Sequence, residues 1–371
     1  MIDAARAFCV DRIAPTVEED DEREHFRKDL VREMGEVGLC GIPTPEEWGG
    51  LGLGYVEYAL VLEAIARISP SYAVSVAVTG LPQIMLVRFG NDAQRAEFLP
   101  KLASGEWLGA FALSEVGSGS DAASLTTTAE RDGDDYLLSG NKFWITHGGY
   151  ADVYVVMART GGPGPQGVSA FIVKGGAQGL SFGKKERKMG LRASPTVELV
   201  LDRVRVPSAH RLGDEGQGFR IAMAALDSGR ITIGATSVGL AAAALDTAVA
   251  YASERRQFST AIIDFQGVGF MLADMATRVT CARLLVHQAA GLRDAGRDYA
   301  HVAAMAKVVA TDAAMDVTTD AVQVLGGAGY TREFPVERAM RDAKVMQIVE
   351  GTNQIQRLVI ARHLKRHGGA P

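Results

Sequence analysis

Val153-Tyr154-Val155-Val156-Met157 is a short apolar run, and its neighbours between residues 108 and 212 share its texture. Tyr136-Leu137-Leu138-Ser139-Gly140, Ser169-Ala170-Phe171-Ile172-Val173 and Val197-Glu198-Leu199-Val200-Leu201 are equally short, apolar or alternating. Turns bound them, among them Arg131-Asp132-Gly133-Asp134 and Gly161-Gly162-Pro163-Gly164-Pro165. Several short strands at this spacing predict a β sandwich or barrel.

On either side the apolar residues recur at helical spacing. Residues 22–38, 56–68 and 92–102 read as helices, punctuated at Gly41-Ile42-Pro43, Gly49-Gly50-Leu51-Gly52 and Gly80-Leu81-Pro82. After Gly216 long helices are predicted over 216–252, 264–294 and 299–325, with shorter ones near 335–344 and 352–364. The chain is therefore mainly α with a middle β domain: helices over 1–107, strands over 108–215, a helical bundle over 216–371. Strands and helices do not alternate, which excludes a doubly wound nucleotide fold.

A length of 371 residues allows two or three domains with a large core. The net charge of -5 gives no general attraction to nucleic acid or to an anionic membrane. Cys9, Cys40 and Cys281 are odd in number and widely spaced, so they make neither a disulfide framework nor a metal-ligand pattern. The N-terminus lacks a basic segment followed by an apolar run. No apolar stretch reads as long enough and free enough of charge to span a bilayer; 231–252 comes nearest, and Asp246 interrupts it. A cytoplasmic protein without metal is expected.

Five segments carry chemistry. In Ile348-Val349-Glu350-Gly351-Thr352-Asn353-Gln354 a carboxylate sits between an apolar dipeptide and a glycine at a helix start. Desolvation there raises a carboxyl pKa and makes a proton acceptor near neutral pH; a structural Glu before a capped helix is the plainer reading. Phe111-Ala112-Leu113-Ser114-Glu115-Val116-Gly117-Ser118-Gly119-Ser120-Asp121 collects small residues and hydroxyls that let backbone approach an anion or a flat ring, or make an ordinary turn. Trp144 and Thr146, two apart on a strand, would share a face suited to a planar ligand; a buried strand Trp is the alternative. Arg255-Arg256-Gln257-Phe258, followed by Gln266, offers a phosphate fork or a solvated helix end. Gln323-Val324-Leu325-Gly326-Gly327-Ala328-Gly329-Tyr330 ends a helix, where Gln323 contacts a phosphate or simply caps. His363 and His367 have the spacing of a metal pair, but they lie in a basic tail and read as a solvated face.

In order and spacing these segments resemble the acyl-CoA dehydrogenases, flavoenzymes that desaturate acyl-CoA thioesters between the α and β carbons. The likeness spans nearly the whole chain. It implies an N-terminal helical domain, a middle β-barrel, a C-terminal four-helix bundle, FAD, and a homotetramer whose flavins each touch two subunits. By position Phe111, Leu113, Ser114, Gly119, Trp144 and Thr146 would meet the flavin, and Ser120 the flavin or the pantetheine arm. Arg255, Phe258, Gln266, Gln323 and Gly327 would meet the FAD of a neighbouring subunit, with Thr352 and Gln354 also on FAD. Asp227, Arg230 and Gly351 would contact the acyl-CoA substrate. Glu350 would be the catalytic base. Some family members place that carboxylate on the helix holding Leu226 to Arg230, where this chain has Gly229, so Glu350 has no rival there.

The segments Arg159 to Ser169 and Gly179 to Glu186, with Gly229-Arg230-Ile231, look most like isobutyryl-CoA dehydrogenases. That favours a short or branched acyl group, a straight-chain dehydrogenase being the alternative. Trp144-Ile145-Thr146 follows the general family pattern instead, and Ser259 stands where a glycine is common. The likeness implies an electron-transfer flavoprotein as acceptor. An oxygen-using oxidase, lacking here its usual extra C-terminal domain, and a non-catalytic flavin- or acyl-CoA-binding scaffold are the rivals.

Overall fold

The computed structural model describes residues 1–368. Helices come first, one eight-stranded sheet follows, and helices complete the chain. The sheet runs Leu180–Phe182, Thr196–Pro207, Asp135–Thr146, Thr128–Asp132, Val153–Arg159, Val168–Lys174, Arg211–Leu212, and Gly109–Ala112 lies parallel to Val153–Arg159. Every residue from Val153 to Ala158 is fully buried, so the run that announced the sheet lies at its centre.

The C-terminal part is built on Gly218–Glu254, Gln266–Asp294 and Ala300–Leu325, followed by Val336–Met346 and Asn353–His367. Gly218–Glu254 packs on Ala300–Leu325 and on the N-terminal helices Tyr55–Ala66 and Pro70–Phe89. It approaches Tyr55–Ala66 closely at Gly239, where a Cβ would stand 2.3 Å from the Glu63 carbonyl oxygen. Any larger residue there would push the two halves of the helical core apart.

Three expectations change. The predicted helix over 22–38 is two helices, Val17–Glu22 and Lys28–Glu36. Glu24 takes φ +53 between them, and the turn drives Phe26 inward, onto Tyr72 and His147. Gly80-Leu81-Pro82 is not a break but lies inside Pro70–Phe89. That helix is buried on all sides, so it shows no polar stripe to betray its period. Gly80 is needed there because a Cβ would meet the Tyr58 hydroxyl at 2.7 Å. Two helices, Pro70–Phe89 and Gly218–Glu254, are after all long and apolar enough to cross a membrane, but 78% and 67% of their apolar windows are buried inside the protein. Their hydrophobicity belongs to the core.

Candidate active site

Glu350 lies in the link between Val336–Met346 and Asn353–His367. Its backbone takes φ +54, and Gly351 follows at +85. A left-handed Glu is strained by about 1–3 kcal/mol and persists only where its surroundings hold it. Here they do. Gln356 Nε2 donates to the Glu350 carbonyl at 3.1 Å and to the Gly351 carbonyl at 2.8 Å. Lys307 Nζ, from Ala300–Leu325, donates to the Gly351 carbonyl at 3.1 Å and to Asn353 Oδ1 at 2.8 Å. Asn353 Nδ2 in turn donates to Asp312 Oδ1 at 2.7 Å. Thr352 caps the following helix, its Oγ1 accepting from Ile355 N–H at 3.3 Å.

The turn aims the carboxylate at the Gly218–Glu254 helix. A Cβ at Gly229 would stand 2.3 Å from Glu350 Oε2, so glycine is what leaves room for it. Oε2 is buried and has no hydrogen-bond partner among the described residues. Burial raises the Glu350 pKa to about 7 against the lowering pull of Arg230 and Lys307. Burial likewise pulls Lys307 down to about 7, opposed by Glu350 and Asp312. An unpartnered carboxylate near neutrality can accept a proton, and the cations beside it steady the charged form. The Glu350 N–H has no acceptor among the described residues, leaving a backbone donor free beside the carboxylate.

Lys307, Asn353 and Gln356 escaped the sequence reading. The available signal was Lys307, a lone charge among Val302, Ala303, Ala306 and Ala310 on the core face of its helix. Lys307→Met should lower stability by about 1–2 kcal/mol, because Gln356 and Thr311 still serve the abandoned oxygens. It should also move the Glu350 pKa upward by removing a neighbouring cation. Urea unfolding and a pH–rate profile check the two parts.

Asp227 and Arg230, expected on the CoA portion, are ion-paired with each other. Arg230 is buried, and its Nε has no partner among the described residues. Its charge therefore acts on Glu350 as well as on Asp227.

In the middle domain the Ser114 loop and the Trp144 strand are joined directly. Phe143 N–H donates to the Ser114 carbonyl at 2.9 Å. Lys142, fully buried, donates to the Leu113 carbonyl at 3.0 Å and to Glu115 at 2.8 Å. Glu115 also accepts from the N–H groups of Thr126 and Thr127. Burial pushes its pKa up, but Lys142 and these hydrogen bonds outweigh it and hold the carboxyl at about 2. The loop thus has a fixed anchor and an open rim. Gly119 and Ser120 are exposed, and a Cβ at Gly117 or Gly119 would meet nothing within 4 Å. A depression of about 340 Å³ beside it is lined by Glu115, Gly117, Ser118, Asn141 and Phe143.

Trp144 is 63% exposed, which rules out the buried strand Trp. Trp144 and Thr146 do not share a face by simple alternation, because the strand register shifts between Lys142 and Ile145 and Trp144 takes φ +63. A bulge re-aims the indole, so simple alternation does not apply. Phe111, Ser114 and Thr146 are half-buried and Leu113 is buried. Thr146 pairs with Thr196, whose strand follows Leu191. Leu191 packs with Val74, Ile233 and Met346, with Val349 against them, and its N–H donates to buried Asp342 at 2.6 Å. The sheet is thereby tied to the residues just before Glu350.

Arg255, Phe258, Gln266, Gln323, Gly327 and Gln354 are all exposed. Tyr251 and Phe334 pack edge to face at 5.5 Å, which brings the Arg255 segment and the Gln323 turn to one end of the bundle. Gly326 closes Ala300–Leu325 at φ +62, so the glycine turn is a C-cap whatever else it does. Phe258 and Ser259 take φ +50 and +65, which explains why a glycine suits the Ser259 position.

Three family models match the chain: the acyl-CoA dehydrogenase N-terminal domain over residues 1–106, the middle domain over 110–204 and the C-terminal domain over 216–365. The chain belongs to the acyl-CoA dehydrogenase family. It is 49% identical to an acyl-CoA dehydrogenase of Bacillus subtilis over 97% of this chain and 95% of that one. It is 42% identical to the mitochondrial isobutyryl-CoA dehydrogenase of Dictyostelium discoideum, over 97% and 87% of the two chains. The solved butyryl-CoA dehydrogenase of Megasphaera elsdenii superposes with a TM-score of 0.97 at 42% identity, covering 98% of this chain and 97% of that one. The protein is thus an enzyme, an acyl-CoA dehydrogenase of a flavoprotein oxidoreductase family. Its relatives are named for both branched and straight short acyl groups.

Proposed function

We propose that this acyl-CoA dehydrogenase uses FAD to convert a short acyl-CoA thioester, isobutyryl-CoA first among them, into the 2-enoyl-CoA. The observation that carries this reading is Glu350: a carboxylate with a buried, unpartnered oxygen, lifted to about 7 and facing the space that Gly229 leaves.

The residues present fit the cofactor. An exposed indole at Trp144, the Thr146 hydroxyl and the open glycine rim at Gly117 and Gly119 suit a flat ring with polar edges. Phe111, Leu113, Ser114, Thr352 and Gln354 would complete the hold, with Arg255, Phe258, Gln266, Gln323 and Gly327 reaching the FAD of a second subunit. The chemistry FAD supplies when bound is acceptance of the β-hydrogen with its electron pair.

The chain's own residues do the rest. Glu350 takes the α-proton. The free Glu350 N–H donates to the thioester oxygen as negative charge grows there. Val349, with Val74, Leu191 and Ile233 behind it, keeps water from the carboxylate and so strengthens both interactions. Asp227, Arg230, Gly351 and Ser120 orient the CoA thioester. Phe258, Phe270, Leu284 and Tyr330 are large apolar side chains left exposed by the single chain, which supports a homotetramer that would cover them. Electrons then leave to an electron-transfer flavoprotein.

Two outcomes test the reading. The pH profile of kcat/KM should rise with an apparent pKa of about 7, against the ordinary 4.5. In anaerobic bleaching of the flavin, isobutyryl- and butyryl-CoA should react faster than octanoyl-CoA. A preference for octanoyl-CoA contradicts the short-chain assignment, and faster turnover with oxygen than with an electron-transfer flavoprotein contradicts the acceptor.

A further inference from the structure

At one end of the bundle three imidazoles meet. His301, in the first turn of Ala300–Leu325, stacks face to face on His363 of Asn353–His367, centroids 3.6 Å apart and planes 7° apart. His367 follows at 4.6 Å from His363. Asp298 Oδ2 lies 4.0 Å from His301 Nδ1. The other oxygen, Oδ1, accepts the Ala300 N–H at 3.3 Å, which orients the carboxylate. The His301 side chain is only 12% exposed, and its Nδ1 is buried without a hydrogen-bond partner among the described residues.

Nothing among the described residues accounts for this arrangement. A face-to-face sandwich is the least favourable aromatic pairing, and an orphaned buried nitrogen costs about 1–3 kcal/mol.

We propose that Asp298, His301 and His363 form a binding site for one divalent transition-metal ion of the zinc class, with His367 next to it as a fourth donor. The ligand atoms of the first three lie within 4.8 Å of one another. Two donors on one zinc ion stand at most about 4 Å apart, so Asp298 turns inward and the partly exposed His363 leaves the stack, tilting its ring until its in-plane lone pair points at the ion. Imidazole nitrogens with one carboxylate suit zinc, cobalt, nickel or copper and not magnesium or calcium, which take oxygen ligands. The ion gives the His301 imidazole a partner and joins the first turn of Ala300–Leu325 to the last turns of Asn353–His367.

The site is a clasp. The same two helices are already joined by Lys307 to Asn353, beside the Glu350 turn. A metal at His301 and His363 adds a second link, nearer the start of the first helix and the end of the second, and fixes the helix that begins just after Glu350. The proposal does not depend on which acyl-CoA the enzyme takes.

The test uses the full-length, untagged protein with FAD bound, treated with chelator, dialysed and titrated with zinc by calorimetry and with cobalt by visible absorption. One zinc per chain, a rise in Tm on zinc addition and cobalt d–d bands are expected. His301→Ala and His363→Ala should each weaken zinc binding by roughly 100-fold, with the flavin spectrum intact as proof of folding. If His301→Ala does not hold FAD, His363→Gln, altered at a partly exposed position, carries the same expectation. Equal zinc affinity in the parent and the His363 variants, or no zinc taken up by the parent, overturns the proposal.

Discussion

Glu350→Gln should slow bleaching of the flavin by acyl-CoA by roughly 10²–10⁴-fold or more, while FAD and acyl-CoA still bind. The amide keeps the size of the side chain and the hydrogen bonds to the turn, all of which use backbone carbonyls. Only the ability to accept a proton is removed. The variant should also differ in stability. The folded pKa of about 7 lies above the ordinary 4.5, so the native state favours the neutral form. That contribution is complete below the unfolded value and is lost as pH rises through about 7. Glu350→Gln, always neutral, should therefore match the parent near pH 4.5 and exceed it at pH 8, by at most about 3 kcal/mol. Urea unfolding at the two pH values reads this directly. A variant that bleaches normally removes Glu350 from the reaction.

Gly229→Ala should cost roughly 100-fold in bleaching rate with little effect on FAD content. The added methyl would sit 2.3 Å from Glu350 Oε2 and 2.9 Å from its Cδ, so the carboxylate must move aside by about an ångström. A displacement of that size is enough to lose about two orders of magnitude in a positioned reaction. The better helix propensity of alanine, about 1 kcal/mol, offsets part of the packing strain, so the protein should still fold. Single-turnover bleaching against an unchanged flavin spectrum separates the two effects. A rate equal to the parent's would mean that the carboxylate does not react from this pose.

Much of this was open to reading in the chain itself. The strand runs around Val153 and the helical periods after Gly216 mark local preferences strong enough to survive packing. The Glu350 segment and Gly229 were both visible, although their contact was not, since they stand 121 positions apart in sequence. What escaped follows from burial and backbone geometry. Pro70–Phe89 is buried all round and shows no stripe. Trp144 sits in a bulge that alternation cannot foresee. The ion pair between Asp227 and Arg230 went unseen because residues three apart on a helix give no sign of how deeply they will be buried. His363 and His367 read as a solvated face because the third imidazole, His301, comes from a different helix.

The central claim is that Glu350 removes the α-proton, and hydrogen exchange at that carbon tests it apart from electron transfer. An acyl-CoA whose β carbon carries no hydrogen, incubated with the enzyme in deuterated water, should incorporate deuterium at the α carbon. The rate should climb through pH 7, following the pKa of about 7 at Glu350, and Glu350→Gln should show none. Exchange at the same rate in Glu350→Gln would contradict the account.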